Sequence, residues 1–180
     1  MIKFFRFLMV FVLSSSCADI TPYQKELLSF RKEKDFQFRN LPDSPIPDSL
    51  KPSFKGLSYF PINENWIIQA QFIPQMDSLN SDFAGYIKFS YQNKIFQLTV
   101  FWQDTIQKNE LFLPFRDKTS GLTTYGGGRY LNIPYSGKKD VLLDFNYVYH
   151  PFCVYNPDYI CQKPPKENFL DFDVTAGEKL

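Results

Sequence analysis

Histidine is nearly missing from this chain. His150 is the only one among 180 residues, so any reaction that needs an imidazole base has a single place to put it. Cysteine is scarce as well. Cys17, Cys153 and Cys161 are spaced unlike the paired short arms of structural zinc. Neither sign of charge is in excess. The formal net charge is +1, which argues against a basic surface for nucleic acid or for an anionic membrane. The N-terminal apolar run, Phe7 to Leu13, is far shorter than the ~20 residues a spanning helix needs. No glycine cluster is followed by Lys-Ser/Thr, which removes a phosphate-loop reading. No nucleophile-elbow glycines surround Ser120, so a triad with His150 and Asp144 has no supporting pattern. No motif calls for a cofactor or a metal.

The first residues read as a targeting segment. Lys3 and Arg6 form a positive start, Phe7–Leu13 an apolar middle, and Ser14–Ser16 a small-residue end before Cys17. Small residues ending at a cysteine resemble a bacterial lipoprotein signal, with Cys17 lipidated after cleavage of residues 1–16. An ordinary secretory peptide cut near Ser16 or Ala18 is the alternative, and both readings export the chain. The expectation is a protein of the cell envelope whose membrane attachment comes through lipid on Cys17. Residues 17–180 then form one domain, large enough to bury roughly 70% of its unfolded surface without metals or multiple disulfides. The leader carries two basic residues and no acidic one, so the remainder has 18 basic against 19 acidic residues. In an oxidising compartment Cys153 and Cys161, eight apart, are expected to form a disulfide. The alternative is a metal site with His150.

Thr21-Pro22-Tyr23-Gln24 reads as a capping box opening a helix over about 22–38. Tyr23, Leu27 and Phe30 fall on one face, and Lys25, Arg31, Lys32 and Lys34 on the other. The Pro-rich stretch 41–53 cannot be a helix interior or a central strand, and reads as an extended strap. From 56 to 176 the signals are β. Strands are expected at Leu57–Phe60, Trp66–Phe72, Leu111–Phe115, Arg129–Ile133, Val141–Phe145 and Phe169–Val174. Phe83–Tyr91 and Lys94–Trp102 form a hairpin across Gln92-Asn93. The alternation of Phe96, Leu98, Val100 and Trp102 with Ile95, Gln97, Thr99 and Phe101 suggests a strand covered on both sides. No internal repeat is present. The predicted fold is mainly β: an antiparallel β-sandwich or partly closed barrel with one N-terminal helix.

The last third is the densest in demanding residues. It holds Phe-Arg-Asp117, Thr119-Ser-Gly121, Thr124-Tyr-Gly-Gly-Gly-Arg-Tyr-Leu131, Asp144-Phe-Asn146, Tyr149-His-Pro151, Cys161-Gln-Lys-Pro-Pro165, Glu167-Asn168 and Ala176-Gly-Glu178. These motifs, in this order, resemble the domain-of-unknown-function family 1684, and Phe54-Lys-Gly-Leu-Ser-Tyr-Phe-Pro61 extends the likeness upstream. The resemblance spans nearly all of residues 21–180. The chain looks like the family's short, lipoprotein-type form. It departs at His150, where the family often has asparagine, and at Gln162-Lys163, where it often has Pro-Leu. What the resemblance implies is a shared fold and a shared set of unusual residues, with no activity attached.

Two function classes follow. In the first, the chain is a non-catalytic envelope lipoprotein whose Tyr/Gly/Arg/Asp-rich surface binds a small ligand or partner. Tyr125, Gly126, Gly127, Gly128, Arg129, Asn146 and Tyr149 are its candidate binding residues. Glycine N–H groups beside an arginine suit an anion, and the crowded tyrosines suit ligands with apolar faces. The structural alternative is a glycine bulge, with Arg129 paired to Asp117 or Asp144. In the second class, a hydrolase acts on an envelope or sugar substrate through two of Asp117, Asp144 and Glu167. Each carboxylate also has a structural use, Asp117 as the anchor of an Asx turn. Asp117, Tyr125, Arg129, Asp144 and Asn146 are expected to converge.

Overall fold

The computed structural model describes residues 20–75 and 82–180. The leader and the lipidation position Cys17 lie outside these described residues. Helix α1 spans Pro22–Asn40, and both halves of the capping box are made: Thr21 accepts from the Gln24 N–H while Gln24 accepts from the Thr21 N–H. None of the described helices is long and apolar enough to cross a membrane.

The β region contains β1 (Ser58–Tyr59), β2 (Ile67–Pro74), β3 (Phe83–Tyr91), β4 (Lys94–Trp102), β5 (Glu110–Asp117), β6 (Arg129–Pro134), β7 (Asp140–Asp144), β8 (Phe169–Leu170) and β9 (Glu178–Lys179). The main sheet runs β6-β5-β4-β3-β2-β7 and is antiparallel; β8 adds in parallel to β5, and β9 pairs with β1. The two ends of the sheet, β6 and β7, come within 8 Å of each other without a hydrogen-bonded ladder. A single antiparallel bridge, Tyr130 to Tyr149, ties β6 to the segment after β7. Of the two expected architectures, the molecule is the nearly closed barrel.

Alternation sets the interior. Ile68, Ala70 and Phe72 of β2 point inward between exposed Gln69 and Gln71, as a half-buried strand requires. They meet Ile87, Phe89, Leu98, Val100, Leu113, Phe115, Leu143 and Phe145 in one core. The β3–β4 hairpin turns on Gln92 and Asn93, both at positive φ, the backbone a two-residue hairpin needs. In β4 both faces are covered only from Leu98 onward. Ile95, in the first half of the strand, is exposed.

The expected strand Phe169–Val174 pairs only over Phe169–Leu170. Beyond it the carbonyls of Val174 and Ala176 accept from the Arg129 guanidinium instead of a neighbouring strand. The helix also docks differently from its apolar pattern. Leu27 is fully buried, but Phe30 is substantially exposed. Arg31 and Lys34, expected on the solvent face, turn to the barrel. Arg31 donates to the carbonyls of Phe60 and Asn146, and Lys34 donates to Glu178 at 2.6 Å. Asp35 accepts the Leu57 N–H at 2.8 Å.

Candidate functional site

The glycine-rich loop leads into a buried ion pair. Gly128 sits at φ +103°, where a Cβ would come within 2.5 Å of the Phe115 carbonyl oxygen, so only glycine fits. The turn delivers Arg129 into the interior at 0% exposure. Its guanidinium donates to Asp117 Oδ2 at 2.9 Å and to the carbonyls of Val174, Ala176 and Glu178 at 2.7, 2.7 and 3.0 Å. Burial lowers the arginine's pKa, and the Asp117 carboxylate opposes that shift. The other Asp117 oxygen accepts from the Thr119 N–H and hydroxyl, which is the Asx turn its sequence suggested.

A second buried acid lies alongside. Glu178 Oε2 accepts from the His150 N–H at 2.7 Å and the Tyr155 hydroxyl at 2.9 Å, while Oε1 takes Lys34. Burial raises the Tyr155 pKa, with Glu178 adding to it. His150 Nε2 accepts the Tyr125 N–H at 3.3 Å, so the ring proton sits on Nδ1. Burial, with Arg129 and Lys34 adding to it, holds the imidazole down at about 3, hence neutral. His150 therefore points to Tyr125 and Glu178. Cys153 and Cys161 are joined as a disulfide, with Cα atoms 6.0 Å apart.

The five residues expected to converge fall into two hydrogen-bonded groups. Arg129 and Asp117 form one, to which Tyr125 connects through His150 and Glu178. Asp144 and Asn146 form the other. Asp144 accepts from the Asn146 N–H at 3.0 Å and the Tyr23 hydroxyl at 2.8 Å, and Asn146 bridges to Asn63 in both directions. Phe60 links the two groups, its ring 5.9 Å from the Arg129 guanidinium carbon and its carbonyl accepting from Arg31, which also donates to the Asn146 carbonyl. The helix lies between these demands: Tyr23 serves one group and Lys34 the other.

Arg129 and Asn146 are sealed from solvent, so neither presents a face to an external ligand. Gly126 and Gly127 are exposed and Gly128 is buried. Without the Arg129 guanidinium, the loop lacks the cation that would make it an anion site. Glu167 is exposed beside β4, accepting from the Thr99 hydroxyl at 3.3 Å. Its neighbour Asn168 has a role its sequence position did not disclose. The side-chain amide accepts from the Thr99 N–H at 2.7 Å and donates to the carbonyls of Thr99 and Pro114 at 2.8 and 2.7 Å. Pro114 has no N–H to offer β4, so Asn168 completes the ladder where β4 and β5 part.

Of the proposed binding residues, Tyr149 lines a cleft. Between α1 and the outer side of β6 and β7 lies a cleft of about 740 Å³. Phe30, Phe38, Pro134, Leu142, Tyr147 and Tyr149 give it an apolar wall, and Glu26, Glu33, Lys34, Glu110, Asn132 and Asp144 supply the polar groups. It exists because β6 and β7 do not pair and the helix lies over the gap. The Tyr149 hydroxyl donates to Asn132 Oδ1 at 2.9 Å, and Asn132 donates to Glu110 at 2.9 Å. Burial raises the Tyr149 pKa, with Glu110 adding to it. A shallower depression of about 470 Å³ lies against the disulfide loop, bordered by Trp102, Phe112, Tyr130, Tyr159 and Ile160. Burial pushes the Tyr130 hydroxyl up to about 12, and it donates to the Gln162 carbonyl at 2.6 Å. Sequence reasoning picked out Tyr149 as a candidate binding residue. It missed Leu142, Glu110 and Asn132, which carry no motif and meet only through the barrel's closure.

No match was found among curated proteins. Among solved structures, the solution NMR structure of an uncharacterized protein from Haloarcula marismortui is similar. The two share 32% identity and a TM-score of 0.70, over 88% of this chain and 94% of that one. The family described as "Protein of unknown function (DUF1684)" matches residues 52–179, from the end of the Pro-rich stretch, which forms turns and a short 3-10 helix (Lys51–Ser53) rather than the expected extended strap, to the last strand. The chain belongs to that family.

Proposed function

We propose that the protein is a non-catalytic binding protein of the cell envelope, held at a membrane by lipid on Cys17, and that the α1 cleft receives its ligand or a segment of its partner. The observation that carries this reading is the cleft itself. It is roomy, mainly apolar and bordered by a few fixed polar groups, the usual form of a small-molecule site. The disulfide suits an exported domain. Cys17 precedes Pro22 by five residues, so lipid there would hold the start of α1 within roughly 20 Å of the bilayer.

The geometry gives the hydrolase less support. Asp117 is locked to Arg129 inside the domain. Asp144 accepts from Tyr23 and Asn146. Glu167 sits beside Thr99, away from the cleft. Of these three, Asp144 alone borders the cleft, so they do not form the facing pair such chemistry needs.

Two measurements test the proposal. Labelling cells with a fatty acid should mark the wild-type chain and leave Cys17→Ser unmarked; equal label in both would remove the anchor. A thermal-shift screen of amphipathic small molecules should raise the melting temperature with ligand concentration, as mass action requires. A shift that survives Leu142→Trp, which narrows the cleft, would place binding elsewhere.

A further inference from the structure

We infer that the ligand of the α1 cleft is an organic cation with an apolar body, an amine or quaternary ammonium carried on an alkyl or aryl group. The inference rests on the cleft being the binding site and adds the chemical class. It begins from charge. Four carboxylates, those of Glu26, Glu33, Glu110 and Asp144, line the cleft against one ammonium, Lys34. The chain as a whole is nearly neutral, so this excess is local. Lys34 is already committed to Glu178, outside the lining, at 2.6 Å. Among the described residues none of the four carboxylates takes part in an ion pair within 4 Å.

The hydrogen-bond donors around the cleft point the same way. Tyr149 donates to Asn132, Asn132 to Glu110, Gln37 to Glu33 and Tyr23 to Asp144. These donors are spent on acceptors of the protein, so an anionic ligand would meet carboxylate oxygens with little to bind it. A cation meets the same oxygens as partners. The aromatic walls add a second attraction, because the face of a tyrosine or phenylalanine ring is electron-rich. Lys34 shows the pairing within the chain: its ammonium lies 4.7 Å from the centre of the Tyr149 ring while bonded to a carboxylate. Phe30, Pro134 and Leu142 are left to cover the apolar body.

The test is calorimetric titration of residues 17–180 carrying Cys17→Ser, which removes the lipid-bearing thiol and alters nothing in the described structure. The probes are octyltrimethylammonium, octyl glucoside and octyl sulfate at low salt, each below its micelle concentration. The ammonium should bind at least tenfold more tightly than the sulfate, with the glucoside between. Adding Glu26→Lys with Glu33→Lys, two exposed helix positions, should abolish that preference while circular dichroism stays unchanged. Adding Leu142→Trp instead should weaken all three probes. If the three bind alike, or the sulfate binds best, the cation inference is overturned while binding at the cleft stands. A preference that survives the charge reversal also overturns it. If none of the probes binds, the binding reading itself fails, and the inference with it.

Discussion

The Arg129 junction and the α1 cleft sit on the same barrel and differ in almost every respect. The junction is rich in motif residues: Asp117, Thr119, Gly128, Arg129, Ala176 and Glu178 all belong to sequence motifs, and all are buried except the fitted turns around them. The cleft is poor in motifs, built from Phe30, Pro134, Leu142 and Tyr147 with scattered acids. Dense, fussy sequence here marks where polar groups must be satisfied without water. A buried guanidinium tolerates few neighbours, because every oxygen around it must stand in one place. An open cleft tolerates many. Motif density is therefore a poor guide to the proposed binding surface of this chain.

The sharpest way to break the comparison is Arg129→Ala. It leaves Asp117 buried and uncompensated, and it strips the carbonyls of Val174, Ala176 and Glu178 of their donor. A loss of about 3–5 kcal/mol is expected, a large share of the roughly 5–15 kcal/mol typical of a domain. Urea unfolding measures it. A variant that keeps full stability would mean the junction is not a brace.

Asn168→Ala comes next. It exposes no surface and removes no charge, yet it leaves the Thr99 N–H and the Thr99 and Pro114 carbonyls without partners. Each unmet buried group costs about 1–3 kcal/mol, and relaxation of the nearby loop recovers part of that. A net loss of about 2–3 kcal/mol is expected. Faster hydrogen exchange at the Thr99 N–H would localise it, while unchanged exchange there would deny Asn168 its role in the ladder.

How much of this was legible follows from what each residue needs. The capping box of α1 and the Gln92-Asn93 hairpin are local, so their residues announce them. The Arg129–Asp117 pair was open to expectation because both residues stood in adjacent motifs and a buried arginine needs an acid. The helix's docking through Arg31, Lys34 and Asp35 was hidden, since periodicity assigns charged residues to water and only the buried Glu178, the Phe60 and Asn146 carbonyls and the Leu57 N–H reverse that. Asn168 was hidden for a related reason. Its partner Thr99 is 69 positions away, and the need for an amide arises from Pro114 on a third segment. The cleft depends on β6 and β7 failing to pair, a property of closure that no single segment carries.

His150 offers a test that depends on pH and vanishes at neutrality, on the junction side. Its folded pKa of about 3 lies below the ordinary 6.5, so the unfolded chain binds the extra proton between those values. Stability is then complete above about pH 6.5 and falls as the pH drops toward 3, by about 1.4 kcal/mol per pH unit from this group. His150→Asn removes the titration and should flatten that part of the pH profile of unfolding. A variant whose profile matches the wild type between pH 6.5 and 4 would show that the histidine does not titrate as a buried neutral group.

The smallest expected effect on stability belongs to the cleft, and it is the one that separates the two regions. Leu142 lies on β7 facing outward, half exposed, and packs in the open wall opposite α1. Replacing it with tryptophan adds volume where there is space, so the core is not forced apart. Surface changes of this kind usually stay within about 0.5 kcal/mol, and the added ring can gain contact with Phe30 or Tyr147. The variant should therefore unfold at nearly the wild-type urea midpoint. Its affinity for any amphipathic ligand that raises the wild-type melting temperature should fall at least tenfold, because the ring obstructs the apolar wall against which the ligand would pack. At Arg129 the expectation is reversed: stability collapses, and whatever folded protein remains binds as before. Stability lost at Leu142, or binding lost from folded Arg129→Ala protein, would each erase the division between a braced junction and an open cleft.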